Sequence, residues 1–142
     1  MSEASLPSFW QRLQAGWWYL YGLSLCQIGL RTVDRDVYRQ AVRAFDRSLA
    51  AWPDLAIALY RRGLIRGREL GEYHAAIRDL DAVTRIRPDW PDPYLQRGLF
   101  HRFNHHSRAA IAELTEYVRL APPGFWRTEA ERILAQIQAE LE

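Results

Sequence analysis

A period of 34 to 35 residues constrains this chain more than any other feature. Gly63, Ala76, Leu80 and Pro88 return as Gly98, Ala110, Leu114 and Pro122, in steps of 35, 34, 34 and 34 residues. Upstream, Ala41, Phe45 and Pro53 precede Ala76, Leu80 and Pro88 by 35 each. Self-similarity at this length marks an array of stacked supersecondary units, none of which buries its apolar face alone. The clearest unit runs from Leu59 to Pro88 and reads as two short antiparallel helices. Gly63 lies in the first, Leu70-Gly71-Glu72 makes the turn, and Pro88 ends the second. Tyr73, Ala76, Ile77, Leu80 and Val83 mark one face of that second helix. Almost nothing alternates with the period of a strand, so the expected class is all-α.

The motif residues fall into two sets. The first helices give Trp18-Tyr21-Gly22-Leu25, Leu59-Arg62-Gly63-Arg66 and Tyr94-Arg97-Gly98-His101. The second helices give Tyr38-Ala41-Phe45-Ser48-Pro53, Tyr73-Ala76-Leu80-Val83-Pro88 and Ser107-Ala110-Leu114-Tyr117-Pro122. Over residues 16 to 122 this resembles the tetratricopeptide repeat (TPR) family. The resemblance implies a right-handed superhelix of antiparallel helical hairpins. Repeat one spans about 15–53, repeat two about 54–88 and repeat three about 89–122, followed by a capping helix at about 127–142. Seven helices are expected in a single domain. Arg stands at positions 62 and 97, where the family usually carries Leu. Repeat one holds about seven extra residues as an inserted connector at 31–37, and repeat two holds one extra residue.

Gly in a helix interior costs about 1 kcal/mol relative to Ala. Three glycines at matched positions (22, 63 and 98) therefore predict a partner helix too close for a side chain, with Ala41, Ala76 and Ala110 as the complementary small residues. Ser8 is a candidate cap for a first helix starting at Phe9 or Trp10. In that helix Trp10, Leu13, Trp17, Tyr21, Leu25 and Ile28 form one broad apolar face. Its first turns, Phe9 to Ala15, precede the repeat and serve either as a cover for the open end or as an exposed aromatic handle. The third helix is expected from Leu55 to about Leu70 with Asp54 as its cap, and the fifth with Asp92 as cap and Pro93 at its first position. At the other end Ala130, Ile133, Leu134, Ile137 and Leu141 make one stripe opposite a polar face, as a terminal cap requires.

The TPR resemblance implies a concave groove lined by the first helices. Its fifth positions are Tyr19, Tyr60 and Leu95, and its ninth positions are Leu23, Leu64 and Leu99. The twelfth positions are Cys26, Gly67 and Arg102, and the thirteenth are Gln27, Arg68 and Phe103. This lining is apolar and aromatic with Arg at one end. It lacks the Lys and Asn with which carboxylate-clamp TPRs hold an acidic C-terminus. The partner it implies is a protein or peptide whose apolar or amphipathic segment lies in the groove, with an acidic residue meeting Arg68 or Arg102. The rival is a self-associating structural module, a homodimer whose groove is filled by its own or a neighbour's N-terminus.

Composition limits the other classes. All 19 basic residues are Arg, yet the formal net charge is only +2, too small for a nucleic-acid surface. The cluster Arg61, Arg62, Arg66 and Arg68 is expected to be neutralised by Glu72, Asp79 and Asp81 on the next helix. Cys26 is the sole cysteine, so no disulfide forms within the chain; a buried inert thiol in a reducing, cytoplasmic setting is expected. Leu13 to Leu30 carries no charge for 18 positions, but Gln14, Gln27 and three glycines argue against a membrane span. His101, His105 and His106 are the only metal-like cluster. They lack a third ligand type and the Glu of a zincin motif, so metal-dependent activity there ranks last. With no nucleophile elbow, phosphate loop or paired acids, neither catalysis nor a cofactor is expected.

Overall fold

A computed structural model describes residues 5–142. Among them there are seven α-helices and no strand: α1 (Phe9–Thr32), α2 (Arg35–Ala51), α3 (Ala56–Leu64), α4 (Tyr73–Ile86), α5 (Asp92–Phe103), α6 (Ser107–Leu120) and α7 (Phe125–Leu141). Consecutive helices pack as antiparallel hairpins, and the hairpins stack. Ser8 caps α1 through a reciprocal box with Gln11, whose side chain accepts from the Ser8 amide.

The matched glycines do mark close approaches, but their partners are large side chains. A Cβ on Gly22 would stand 2.8 Å from the Phe45 ring, and one on Gly98 would stand 2.8 Å from Leu114. At Gly63 it would meet Leu80 at 3.2 Å and the Ala76 carbonyl at 3.3 Å. Phe45, Leu80 and Leu114, one per hairpin, thus fill the space that each glycine leaves, and all three are fully buried. Ala41, Ala76 and Ala110 are buried beside them.

The expected connector at 31–37 is nearly all helix. Only Val33 and Asp34 separate α1 from α2; Val33 turns the chain in the left-handed region (φ 53°) and Asp34 caps α2. The extra residues lengthen both helices instead. That length brings Tyr38 over Gly29, where a Cβ would be 2.7 Å from the ring, repeating the Gly22–Phe45 contact seven residues along each helix. At the other end the Ser48 hydroxyl donates to the Ala15 carbonyl at 2.7 Å and ties the start of α1 to α2.

The single extra residue of repeat two produces a different device. The third helix does not continue regularly to Leu70. It passes at Leu64 into a π-helical turn, Ile65–Glu69, in which the Leu70 amide donates to the Ile65 carbonyl. A π turn absorbs one residue without breaking the helix. Gly71 (φ +70°) then reverses the chain, with the Glu72 amide bonding back to Arg66. Asp54 does not cap α3: Leu55 holds that position, without a side-chain bond. Helix α5 starts one residue early, so Asp92 lies inside it and Pro91 precedes it. Helix α7 starts at Phe125, after Gly124, and its stripe stops at Ile137. Leu141, past the last helix it could pack on, is exposed.

The inward face of α1 also differs from expectation. Ala15, Gly22, Leu25 and Gly29 turn toward α2, because only small residues allow Phe45 and Tyr38 so close. Trp10, Leu13, Trp17, Tyr21 and Ile28 are exposed on the opposite side. None of the described helices is long and apolar enough to cross a membrane.

Arg62 and Arg97 replace the usual Leu for a reason that the fold makes visible. Each guanidinium bridges the second helix of its own hairpin and that of the one before. Arg62 grips both oxygens of Asp79 on α4 at 2.9 and 2.6 Å and reaches Asp46 on α2 at 2.8 Å. Arg97 bonds Asp81 and Thr84 on α4, each at 3.1 Å, and Glu113 on α6 at 2.6 Å. Asp79 also receives Arg66 at 3.0 Å. Asp81, expected to neutralise the third helix, pairs with Arg97 and Arg85 instead.

Candidate functional site: a concave surface of two hollows

The first helices of the hairpins line one side of the stack. Two hollows open there. The first, about 170 Å³, lies between α1 and the α3–π segment; Leu23, Cys26, Gln27, Leu64 and Arg68 contribute to its wall. The second, about 350 Å³, lies between the α3–π segment and α5; Tyr60, Arg68, Leu95 and Leu99 line it. Arg68 belongs to both. The π turn sets its place, and its guanidinium donates to the buried Gln96 side-chain oxygen at 2.8 Å. That partner is neutral, so the Arg68 charge has no carboxylate at hydrogen-bond distance among the described residues.

Of the groove positions inferred from the repeat, Leu23, Leu64 and Arg68 meet in the first hollow and Tyr60, Arg68, Leu95 and Leu99 in the second. Three others lie elsewhere. Tyr19 packs on the Phe45 ring (centroids 6.0 Å apart) and joins the core beneath the first hollow. Phe103 stacks on Tyr73 at 6.0 Å near the α5–α6 turn, and Arg102 lines neither hollow. The hollows also contain residues that the repeat pattern does not point to. Arg61 and Glu69 border the first, while Asp92, Tyr117 and Trp126 border the second. Tyr117 and Trp126 come from α6 and α7, which close the far end; they occupy no groove position of the repeat.

Burial sets the chemistry of the lining. It pushes the Cys26 thiol up to about 11, with nearby Arg61 pulling the other way, so at neutral pH this is an uncharged thiol and a weak nucleophile. Burial likewise pushes the Tyr60 phenol up to about 12; its ring leans on Trp90 at 4.5 Å. The surface is therefore largely apolar, with neutral hydroxyl and thiol groups; Arg68 is common to both hollows and Arg61 lines the first. Glu69 and Asp92 stand at its margins.

The histidines lie apart from these hollows. His74 and His101 flank His106 with ring centroids 6.4 and 5.9 Å away, while His105 turns at φ 60°. The group that assembles is thus His74, His101 and His106, with α4 supplying a member that the sequence spacing concealed. Burial lowers the His101 pKa, and the neighbouring imidazoles and Arg97 lower it further. Among the described residues no three His, Cys, Asp or Glu side chains are arranged to hold a metal ion.

The fold is shared with solved structures. The first TPR of Spaghetti (RPAP3), solved bound to an HSP90 peptide, superposes with a TM-score of 0.77 over 92% of this chain and 94% of that one, at 18% identity. The Yersinia enterocolitica secretion chaperone SycD, in complex with a peptide of the translocator YopD, gives 0.78 over 89% and 94%, at 15% identity. This chain has a TPR-like fold. MamA from Desulfovibrio magneticus RS-1 extends the likeness, at a TM-score of 0.74 and 23% identity over 89% of this chain and 65% of that one. In sequence, tetratricopeptide repeat protein 13 of Homo sapiens is 29% identical over 90 residues, which is 61% of this chain and 10% of that protein's length. No family model matches.

Proposed function

We propose that this TPR-like chain is a protein-interaction module, an adaptor or accessory subunit without catalytic activity of its own. Its concave surface takes an apolar or amphipathic peptide segment carrying one acidic residue. The observation that carries this reading is Arg68, whose guanidinium is shared by two largely apolar hollows and, among the described residues, is bound to a neutral amide. An extended or helical segment places apolar side chains in the two hollows and a carboxylate between them, where a bidentate pair with Arg68 adds orientation to the apolar contact. TPR structures similar to this one hold peptides: an HSP90 peptide in Spaghetti and a YopD peptide in SycD. The lining here, with Tyr60, Leu64, Leu95 and Leu99, favours apolar anchors over a purely acidic tail.

The test uses synthetic peptides with two Leu or Phe anchors flanking either Glu or Lys, titrated against the full chain by fluorescence anisotropy. The Glu series binds about tenfold tighter than the Lys series, and Arg68→Gln removes the preference. Equal binding of both series, or a preference that survives Arg68→Gln, overturns the reading.

A further inference from the structure

Among the described residues, the outer face of α1 carries a long apolar stripe that the stack leaves uncovered. Trp10, Leu13, Trp17, Leu20, Tyr21 and Ile28 run along it, each at least 46% exposed, with Trp10 at 75% and Trp17 at 68%. The opposite face of the same helix, through Gly22, Leu25 and Gly29, packs on α2. A helix that is apolar all round is ordinarily covered on both sides, and here the chain covers one. Helix α1 contains no acid. Its exposed stripe is thus an unpartnered interface, separate from the concave hollows.

We propose that a second copy of this chain covers the stripe, α1 against α1 in antiparallel register, about a two-fold axis between Leu20 and Tyr21. That register is self-complementary at every level. Leu13 meets the partner copy's Ile28, and Leu20 meets its Tyr21. Trp17 meets Ser24, a large ring over a small residue, and Ser24 donates its own hydroxyl to the Leu20 carbonyl, so no polar group is stranded. Trp10 meets Arg31, a cation over an indole. The identical patch on both subunits satisfies the isologous geometry of a two-fold dimer. The six side chains together expose on the order of 800 Å² per copy, which is what one partner contributes to a standard interface. Phe9 and Trp10 form the first turn of continuous α1, so they lie about 20 Å along the helix from Leu23 and do not fold into their own groove. Association through this face therefore leaves both grooves open.

Light scattering coupled to size exclusion, on the full chain from about 1 to about 100 μM, reads the assembly directly. A dimer is expected, and Trp17→Glu or Leu13→Glu raises its dissociation constant about thirtyfold or more with the circular dichroism unchanged. Register is read by oxidative cross-linking in a Cys26→Ser background. Tyr21→Cys, next to the axis, links two copies, whereas Ile28→Cys does not, since two such residues lie about 20 Å apart. A monomer at every concentration overturns the proposal, as does a dimer indifferent to both Glu variants. Equal cross-linking at 21 and 28 overturns the antiparallel register. A monomer that co-sediments with phosphatidylserine vesicles, and loses this with Trp17→Glu, assigns the stripe to a membrane surface instead.

Discussion

Gly67 has no room for a side chain. A Cβ there would stand 2.2 Å from the Phe100 ring, closer than at any other glycine in the chain. Phe100 is itself buried, in contact with Ala76 and Leu80, so the ring has nowhere to retreat. Gly67 sits in the π turn that sets the place of Arg68, which makes this contact the link between core packing and the concave surface. Gly67→Ala is expected to destabilise the chain by about 2 kcal/mol, within the usual range for overpacking, although Ala is the better helix former in open positions. Urea unfolding followed by circular dichroism reads this, and a variant as stable as the parent would show that the ring and the π turn yield easily. Gly16 supplies the contrast: a Cβ there meets nothing within 4 Å.

Between elements, the unusual feature is charge. Asp79 is buried on α4 and receives Arg62 and Arg66 at once, and Arg62 extends the link to Asp46 on α2. Arg97 repeats the bridge between α4 and α6, through Asp81 and Glu113. A paired buried charge contributes little net stability over an apolar pair of the same shape, but removing one partner strands the other. Asp79→Ala is therefore expected to cost about 3–5 kcal/mol, more than loss of its methylene alone accounts for. Arg62 then keeps only its bond to the half-exposed Asp46, and Arg66 keeps only the carboxylates of Asp46 and Glu72, both 3.9 Å away. The same chemical unfolding measurement tests it; a loss under about 1 kcal/mol would mean that the guanidinium groups simply turn to water.

For the whole molecule, the stack has two ends and treats them differently. At the far end α7 lays Ala130, Ile133 and Ile137 over Leu95, Leu114 and Tyr117, and its outer side is polar apart from Phe125 and Trp126 in its first turn and Leu141 in its last. Ending the chain after Gly124 uncovers that cluster. A loss of at least about 3 kcal/mol is expected from the two isoleucines alone, together with a tendency to aggregate. Thermal unfolding and light scattering of the shortened chain check this; a chain that melts unchanged and stays monodisperse would deny α7 its role as a cap. At the near end α1 has an apolar exterior and, among the described residues, no polar cap, an asymmetry that follows once Gly22 and Gly29 are committed to Phe45 and Tyr38.

Much of this was legible along the chain. The 34–35-residue period predicted the hairpins and the helix count, and Gly22, Gly63 and Gly98 marked close approaches of one helix to the next, because both are local patterns repeated at a fixed interval. Leu23, Leu64, Leu99, Tyr60 and Leu95 recur at repeat positions that line the two hollows. Other features depend on how helices cross. Arg62 meets Asp79, and Arg97 meets Glu113, through pairings 17 and 16 residues apart that the helix-to-helix angle selects among several candidate acids. The one-residue insertion was visible, but its conversion into a π turn rests on the Phe100 ring closing over Gly67. Tyr117 and Trp126, brought from the last two helices, complete the second hollow, and no repeat position announces them. The repeating hairpin and its small-against-large contacts are thus written in the chain itself, since each is encoded within one period. Which side of α1 is covered was settled only by packing, because a helix apolar on all faces carries no preference until the residues opposite it demand the small side.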